Sequence, residues 1–567
     1  MEISRKKFML GAGAVLATLV LVDGVAQAGV VGPGGVNPIT PEGEFLSDPA
    51  PRKGPDGALY LFGSRDELSA SGAYCSHFND VFETRDLRAW TIRRGVLASV
   101  GANDGIPASD APLYAPDAIF HDGKWRIFYC MPDKSHREGV ASADTIAGPF
   151  KTTFAYSWAK QIDPSIFRDD DGTLYYFWGQ FSAKGAVLKP DLSGIQPGTL
   201  HEGVIDEARH NFHEGIQLTK RGGTYYLVFA DVARHGRPTC IGYATSDKPF
   251  GPYTYRGVIV DNFGCDPDTW NNHGGIVEQD GKWYVVYHRA TNASHSLRKA
   301  CVEPIEFAED GSIKEAEMTS NGAGPLLDAF AETPARLACV MSGSVRIETR
   351  VDGRERLAKV HSGDSATWRY FDMPRTAAKL TLRVVPRTGG IIELRDGNGA
   401  SYGRVAVPSG DGKTERTLSM ALERPFPAGR CAVTLGFHGR GGSFRGRNDA
   451  NLFDVVSFQF LSSPDRIVIT LIPTPRKMEN QTMKTYTTQG TCSRAIEYEV
   501  SDGVLTACRF VGGCPGNTQG VAKLAVGRKV EDVIGLLKGI QCRNGTSCPD
   551  QLARALEAEI AAKEIVV

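Results

Sequence analysis

The chain has 567 residues, which is too long for one hydrophobic core and predicts about three domains. Its formal net charge is −1 and its pI is about 6.9, so a nucleic-acid partner, which would favour a basic face, is not expected. The 64 glycines and the aromatic content of 9% are typical of strands and tight turns rather than of a helical bundle.

The first 28 residues have the three parts of an export signal. A basic segment at 5–7 precedes an apolar stretch at 8–22, and small residues at 26–28 form a cleavage site. The basic segment resembles a twin-arginine signal with Lys in the second arginine position. An uncleaved membrane anchor is the alternative, but a spanning helix needs ~20 apolar residues. We therefore predict a periplasmic or extracellular protein that meets the membrane only through this segment, during export.

Residues 36–327 repeat one pattern five times: a glycine turn followed by aromatic and β-branched residues, as a hairpin enters a strand. The spacings between successive repeats are 66, 49, 51 and 58 residues. Self-similarity of about 50 residues in an all-β pattern predicts a five-bladed β-propeller. The repeats begin at Asp56, Asp122, Asp171, Gly222 and Asp280.

Short segments precede the repeat units, and three of these segments, each in a different predicted blade, begin with a carboxylate residue: Asp48, Asp163 and Glu214. A single Asp-Pro dipeptide is ordinary turn chemistry, but these residues are in phase with the repeat and should meet in the central funnel. Hydrolysis of a glycosidic bond needs one carboxyl group as acid and another as base. A third carboxylate can raise the pKa of the acid by repulsion. Asp117 and His273 occupy the equivalent positions of the other two blades.

The sequence pattern changes after the fifth repeat. Residues 338–462 contain short alternating strands with glycine-rich turns, which predicts a jelly-roll-like β-sandwich. A polar linker at 463–482 leads to a small cysteine-rich α+β domain at 483–567, with helices expected at 530–538 and 551–563. The predicted fold class is therefore mainly β: a propeller, then a sandwich, then a small α+β domain.

Motifs in all five repeats resemble glycoside hydrolase family 43. They are the segments NPI from Asn37, YAPD from Tyr114, IDPSIFRDDDG from Ile162, HEGIQL from His213 and NNHGGIV from Asn271. The resemblance implies a five-bladed propeller that acts on arabinose- and xylose-containing polysaccharides with inversion at the anomeric carbon. It also implies that Asp48 is the general base, that Glu214 is the general acid, and that Asp163 tunes and orients that acid.

Further residues are expected to bind substrate, and Trp270 is a second candidate for a sugar-stacking wall. The resemblance implies no required cofactor, although a calcium ion held through water near His273 is expected in some members. The predicted substrate-binding residues are Tyr114, Asp117, Trp158, His273 and Arg289.

The sandwich region resembles a family 6 carbohydrate-binding module, on the segments from Val360 and Gly389 and the closing strand at 452–460. Exposed aromatic rings bind sugars in such modules, which makes Trp368 and Tyr370 candidates. The alternative is a spacer domain that packs on the propeller without binding a glycan.

The last domain resembles the TSCPD domain, named for the run Thr546 to Asp550. It holds two C-x5-C pairs, which could supply the thiolates of a zinc or iron–sulfur site or could form disulfides in an exported protein. The four residues are Cys508, Cys514, Cys542 and Cys548.

The sequence therefore predicts an exported α-L-arabinofuranosidase or β-xylosidase whose partner is a hemicellulose poly- or oligosaccharide. Two alternatives stay open. One is a retaining furanosidase, such as a fructan hydrolase. The other is a carbohydrate-binding propeller without catalytic activity.

Overall fold

A computed structural model describes residues 19–22, 25–30, 35–68, 72–134, 137–439, 450–462, 483–501, 503–542 and 544–564. The chain divides into two compact units, Met1–Arg466 and Ile467–Val567. The predicted linker at 463–482 and most of the predicted export signal lie outside the described residues. In the described part of the chain, no helix is long and apolar enough to cross a membrane.

Five antiparallel sheets of the first unit form the five predicted blades. Blade 1 also carries β1 (Leu19–Val22) and β2 (Val25–Val30), with β2 paired to β6. Blade 1 comprises β3 (Ser47–Lys53), β4 (Leu59–Ser64), β5 (Phe78–Thr84) and β6 (Trp90–Ala98). Blade 2 comprises β7 (Asp117–His121), β8 (Lys124–Cys130), β9 (Glu138–Ala143) and β10 (Lys151–Ala155). Blade 3 comprises β11 (Ser165–Arg168), β12 (Leu174–Trp178), β13 (Ser182–Val187) and β14 (His201–Asp206).

The short helix α1 (Glu207–His210) connects blade 3 to blade 4. Blade 4 comprises β15 (Phe212–Arg221), β16 (Thr224–Asp231), β17 (Cys240–Ser246) and β18 (Thr254–Asp261). Blade 5 comprises β19 (Gly275–Gln279), β20 (Lys282–Thr291), β21 (Ser294–Phe307) and β22 (Ile313–Lys314).

The first strands of the five blades are neighbours in a closed ring: β3 lies beside β7, β7 beside β11, β11 beside β15, β15 beside β19, and β19 beside β3. Aromatic side chains fill the space between blades; Trp125 of blade 2, for example, packs on Tyr60 and Phe62 of blade 1, with ring centroids 4.9 and 5.7 Å apart. The glycine of each repeat turns the first strand into the second with a positive φ, a conformation that glycine adopts without strain. The five-bladed propeller predicted from the repeat is thus confirmed.

A two-sheet sandwich follows in the same unit, with Trp368 and Phe458 in the core between its sheets. Its chain starts with β23 (Leu327–Asp328), at the end of the range expected for the propeller and before the range expected for the sandwich. One sheet contains β23, β25 (Val340–Ser342), β28 (Ser365–Met373), β30 (Gly390–Asp396), β31 (Ser401–Val407) and β33 (Gly429–His438). The other contains β24 (Thr333–Pro334), β26 (Arg346–Thr349), β27 (Glu355–Ala358), β29 (Ala377–Pro386), β32 (Arg416–Phe426) and β34 (Phe453–Ser462). A 3-10 helix spans Ala335–Leu337.

Buried polar contacts join the sandwich to the propeller. The Lys299 ammonium of β21 lies 2.5 Å from the Glu355 carboxylate of β27, and both side chains are 1% exposed. The backbone N–H of Met341 donates to the carbonyl of Gly264 at 2.6 Å. Contacts of this kind agree with the predicted alternative of a spacer that packs on the propeller.

The described part of the second unit has a three-stranded antiparallel sheet and three helices. Its core includes Ile496, Leu505, Val533, Leu552 and Leu556. The two helices expected from the sequence correspond to α3 and α4. The elements are β35 (Lys484–Thr487), β36 (Ser493–Ser501), β37 (Val504–Gly512), α2 (Pro515–Ala525), α3 (Val530–Leu537) and α4 (Cys548–Glu564).

The buried Asn37 amide connects the first segment of the propeller to its last blade. Its Nδ2 donates to the Val302 carbonyl at 3.0 Å and to Glu303 Oε1 at 2.8 Å, and its Oδ1 accepts from the Val302 N–H at 2.9 Å. We expect Asn37→Ala to destabilise the protein by about 3 kcal/mol, because it leaves buried donors and acceptors unpaired. Thermal melting of the full chain measures this effect. Asn398→Ala, on an exposed turn of the sandwich, is the matched control, and equal melting temperatures for the two variants would contradict the role of Asn37.

Candidate functional site

A cavity of about 360 Å³ opens where the first strands of the five blades begin. The three carboxylates that the sequence places in phase all line it. The full lining is Asp48, Tyr74, Cys75, Tyr114, Ala115, Pro132, Arg137, Ile162, Asp163, Gln180, His213, Glu214, Trp270, Asn271, His273 and Arg298.

Asp48 lies at an irregular point of β3. The pairing of β3 with β4 shifts register between Ser47 and Ala50, and Asp48 has a left-handed φ of 51°. A non-glycine residue in this conformation is strained, and such strain is concentrated at functional sites. The irregular backbone directs the Asp48 carboxylate into the cavity. There it accepts a hydrogen bond from the Ser64 hydroxyl at 3.1 Å.

Arg298 is the main cation beside Asp48. Its Nη1 donates to Asp48 Oδ1 at 2.7 Å, while its Nε and Nη2 donate to the two oxygens of Asp66 at 2.9 Å each. Burial alone would raise the pKa of Asp48, but the Arg298 charge and the hydrogen bond from Ser64 lower it below its ordinary value. Asp48 is therefore held as a carboxylate, the form that can accept a proton.

Two histidines complete the surroundings of Asp48. The Asp48 N–H donates to His288 Nδ1 at 3.2 Å, and His288 Nε2 lies 2.8 Å from Asn271 Oδ1, which assigns a neutral ring protonated on Nε2. Burial holds the pKa of His288 well below its ordinary value. His273 Nδ1 lies 3.6 Å from Asp48 Oδ1, and burial lowers the pKa of His273 as well.

Asp163 and Glu214 face the same cavity from blades 3 and 4. Asp163 precedes β11 with a left-handed φ of 61°, and Glu214 lies between two register shifts of β15. Burial, together with the negative charges of Glu214 and Asp48, raises the pKa of Asp163 well above its ordinary value. Among the described residues, Asp163 Oδ2 is buried without a hydrogen-bond partner. The Gln180 amide donates to Glu214 Oε2 at 2.7 Å. The cavity thus combines a carboxyl group whose pKa is lowered with one whose pKa is raised.

Residues 37–313 match the family described as glycosyl hydrolases family 43, and residues 468–560 match the TSCPD domain. The chain carries a family 43 glycoside hydrolase domain. Both of these sequence resemblances are confirmed.

Relatives of known name cover the family 43 domain. A xylosidase/arabinosidase of Thermoclostridium stercorarium is 29% identical over 470 residues, which cover 71% of this chain and 96% of the relative. A beta-xylosidase of Xylanibacter ruminicola is 27% identical over 319 residues, which cover 48% of this chain and 96% of the relative. A solved arabinoxylan arabinofuranohydrolase of Bacillus subtilis is 23% identical, with a TM-score of 0.43, and the match covers 75% of this chain and 97% of that structure.

The family 43 cavity includes two of the five predicted substrate-binding residues, Tyr114 and His273. Trp270 also lines it, with its ring 6.0 Å from that of Tyr74. Of the two tryptophans predicted for a sugar-stacking wall, Trp270 lines the cavity, and its contact with a sugar stays a prediction.

Three of the predicted substrate-binding residues do not line the cavity, and each side chain makes its contacts elsewhere in the fold. Asp117 is buried and accepts from Arg52 Nε at 2.7 Å and from the Ile166 N–H at 2.8 Å. Arg289 is buried and donates to the Tyr287 hydroxyl and, at 3.0 Å, to Glu303. Trp158 packs in the blade core against Tyr156, Tyr176 and Trp178.

The sandwich does not present the aromatic rings that the sequence suggested. Trp368 is 0% exposed and packs edge-on against Phe458, so its prediction as a sugar-binding residue is wrong. The Tyr370 ring is covered by the Arg430 guanidinium, 3.7 Å from the ring centroid, and its hydroxyl donates to Glu317.

The predicted thiolate site is not assembled. Cys508 lies on β37, Cys514 before α2 and Cys548 at the start of α4, where its Sγ accepts from the Ser493 hydroxyl at 3.3 Å. All twelve cysteines are free thiols. Within the described residues, no group of three or more His, Cys, Asp or Glu side chains could hold a metal ion. Family 43 enzymes need no cofactor, and a calcium ion held through water near His273 stays a prediction.

Several cavity residues were missed by the sequence reasoning. Arg298, Tyr74, Cys75 and Gln180 belong to no segment that repeats between blades. Asn271 lies inside the NNHGGIV motif, which could have singled it out. Arg298 lies on the third strand of its blade, where repeat phase gives no signal.

We expect Asp163→Asn to stabilise the protein, because it removes a buried carboxyl group whose ionised form is disfavoured. The folded pKa of Asp163 is above the unfolded value, so the native protein loses stability as pH rises from the unfolded pKa to the folded one. The difference in melting temperature between variant and wild type should therefore grow over that interval and then level off. Melting curves from pH 4 upward measure it. Asp110→Asn, at an exposed position, is the control, and a pH-independent difference for Asp163→Asn would contradict the raised pKa.

Proposed function

We propose that this protein is an exported glycoside hydrolase that releases arabinose or xylose from hemicellulose, with inversion at the anomeric carbon. The family 43 domain supports the reaction class. The names of the relatives, xylosidase/arabinosidase and beta-xylosidase, support the choice of sugars. The basic and apolar segments at 5–7 and 8–22 support export.

One observation supports Asp48 as the base: a single cavity holds carboxyl groups whose pKa values are shifted in opposite directions. Arg298 lowers the pKa of Asp48, whereas burial and the charges of Glu214 and Asp48 raise that of Asp163. Carboxyl groups whose environments push their pKa values apart are the mark of acid–base catalysis on sugars.

In the proposed mechanism, Asp48 accepts a proton from the water that attacks the anomeric carbon. Glu214 donates a proton to the glycosidic oxygen as the bond to the leaving sugar breaks. Asp163 interacts electrostatically with Glu214 and is proposed to tune and orient that acid, and Gln180 fixes the Glu214 carboxyl through its hydrogen bond. His273 and Asn271 line the wall beside Asp48 and can hydrogen-bond the sugar hydroxyls.

The sandwich is proposed as a spacer rather than as a glycan-binding module. The burial of Trp368, the covered ring of Tyr370 and the buried Lys299–Glu355 pair support this choice.

We expect Glu214→Gln to lower kcat/KM on xylo- and arabino-oligosaccharides by about 10²–10⁴, because their leaving oxygens need a proton in the transition state. The loss on p-nitrophenyl α-L-arabinofuranoside or β-D-xylopyranoside should be much smaller, since p-nitrophenolate leaves without protonation. Initial rates on the two substrate types measure the difference.

Asp48→Asn is the matched control, since loss of the base should affect both substrate types alike. Equal losses for Glu214→Gln on both types would contradict its role as the acid. Proton NMR should show the inverted anomer first, and a retained anomer would favour the alternative of a nucleophilic carboxylate. Absence of turnover on all of these substrates would contradict the proposed function.

We expect Arg298→Met to move the acidic limb of the kcat/KM profile to higher pH by roughly 1–3 units. Asp48 stays buried in the variant but loses its cation, so its pKa rises and the base becomes protonated at a higher pH. A pH profile on the p-nitrophenyl substrate measures the shift. Arg237→Met, at an exposed position of blade 4, is the control, and an unshifted limb in Arg298→Met would contradict the ion pair with Asp48.

A further inference from the structure

Phe181 is a large apolar residue in an unfavourable environment and an unfavourable conformation. Its side chain is 52% exposed, and its backbone has a left-handed φ of 61°. A bulky residue is rarely found in this conformation. Neither the hydrophobic effect nor local backbone preference accounts for a phenylalanine here.

The backbone around Phe181 is fixed by hydrogen bonds on both sides. Its N–H donates to the His213 carbonyl at 2.7 Å, and its carbonyl accepts from the Glu207 N–H at 3.0 Å. The Gly179 N–H donates to the Ile162 carbonyl at 2.9 Å. The ring is therefore presented from a defined position rather than from a loose loop.

The neighbours of Phe181 belong to the catalytic cavity. Gln180, the preceding residue, lines the cavity and donates to Glu214 Oε2 at 2.7 Å. The Phe181 ring stands perpendicular to the ring of His213, with centroids 5.0 Å apart, and His213 lines the cavity directly before Glu214 in sequence. The exposed ring thus lies at the rim of the cavity, on the side of Glu214.

The reaction chemistry indicates which part of the substrate lies on the Glu214 side of the cavity. A general acid must reach the glycosidic oxygen, so the sugar that departs with this oxygen lies on the acid's side. The water activated by Asp48 approaches from the opposite face of the anomeric carbon. An exposed aromatic ring beside Glu214 is therefore placed to meet the leaving sugar, whose apolar C–H face packs well on such a ring.

We propose that Phe181 is the stacking platform for the sugar unit on the leaving-group side, and hence that it favours oligosaccharides over glycosides with small leaving groups. This inference rests on the proposed function. It assigns a specificity role and no step in proton transfer.

Two substrates with the same glycone but different leaving groups test the proposal. Xylobiose and an α-L-arabinofuranosyl-xylose carry a leaving sugar, whereas β-D-xylosyl fluoride and α-L-arabinofuranosyl fluoride release an ion too small to reach Phe181. Phe181→Asn removes the ring and keeps a residue that tolerates the left-handed backbone. We expect it to raise KM for the disaccharide roughly tenfold, with kcat little changed and with both constants for the fluoride unchanged.

Two further variants sharpen the result. Phe181→Tyr keeps the ring and should retain the wild-type KM for the disaccharide. Phe263→Ala is the matched control, because Phe263 is also 52% exposed and also stacks on a histidine, His235, at 3.8 Å, but lines a different surface pocket. It should leave all constants unchanged.

An unchanged KM for the disaccharide in Phe181→Asn would overturn the platform while leaving the proposed function intact. A fall in kcat on the disaccharide without a rise in KM would also overturn it, because it would indicate displacement of Glu214 rather than loss of a binding surface. Absence of turnover by the wild type on fluorides and disaccharides alike would overturn the proposed function and this inference with it.

Discussion

The buried amide of Asn37 donates to and accepts from the backbone of β21, the third strand of the last blade. This contact joins the two ends of the propeller, and with it the ring of first strands from β3 to β19 is closed. Closure matters for the site because residues 48, 163 and 214 are far apart in sequence and are brought together only by the ring. Each lies where the first strand of a blade begins, so five similar sheets converge on one cavity.

The protonation behaviour of the buried carboxyl groups depends on which of them is paired with a cation. Arg298 bridges Asp48 and Asp66, both buried, whereas Asp163 has its Oδ2 unpaired among the described residues. Burying carboxylates in this way is costly unless each is paired or protonated. The unequal distribution of the cation lowers the pKa of Asp48 and leaves the pKa of Asp163 raised, which suits Asp48 to the proposed role of base. Left-handed backbones at both aspartates add strain of about 1–3 kcal/mol each, which the surrounding sheets must offset.

The repeat made the fold and the three carboxylates predictable from sequence. A glycine turn followed by a strand recurs in every blade, so position within the repeat predicts position in the ring, and Asp48, Asp163 and Glu214 share one such position. His273 follows from the same phase, whereas Tyr114 was predicted from the family motif YAPD.

Residues chosen by type alone were predicted less well. Asp117 is in phase, yet it contacts Arg52 beneath the cavity, because phase fixes where a strand begins and not which partner a side chain meets. Arg289 and Trp368 were singled out as a polar and an aromatic residue near the right strands, and both point into the core. Arg298 could not be found in this way, since its role depends on its being brought beside Asp48 by the pairing of β20 with β21 and by ring closure.

The sandwich contributes to the site through the same strand. Arg298 and Lys299 are successive residues of β21, and successive side chains of a strand point to opposite faces. Arg298 therefore reaches Asp48 in the cavity, while Lys299 reaches Glu355 of the sandwich and the carbonyls of Pro41 and Glu44. A buried lysine is expensive to leave unpaired, so the sandwich carboxylate stabilises the strand segment that aims Arg298. The sandwich therefore supports, through Glu355 and Lys299, the strand that carries Arg298 to the proposed base Asp48.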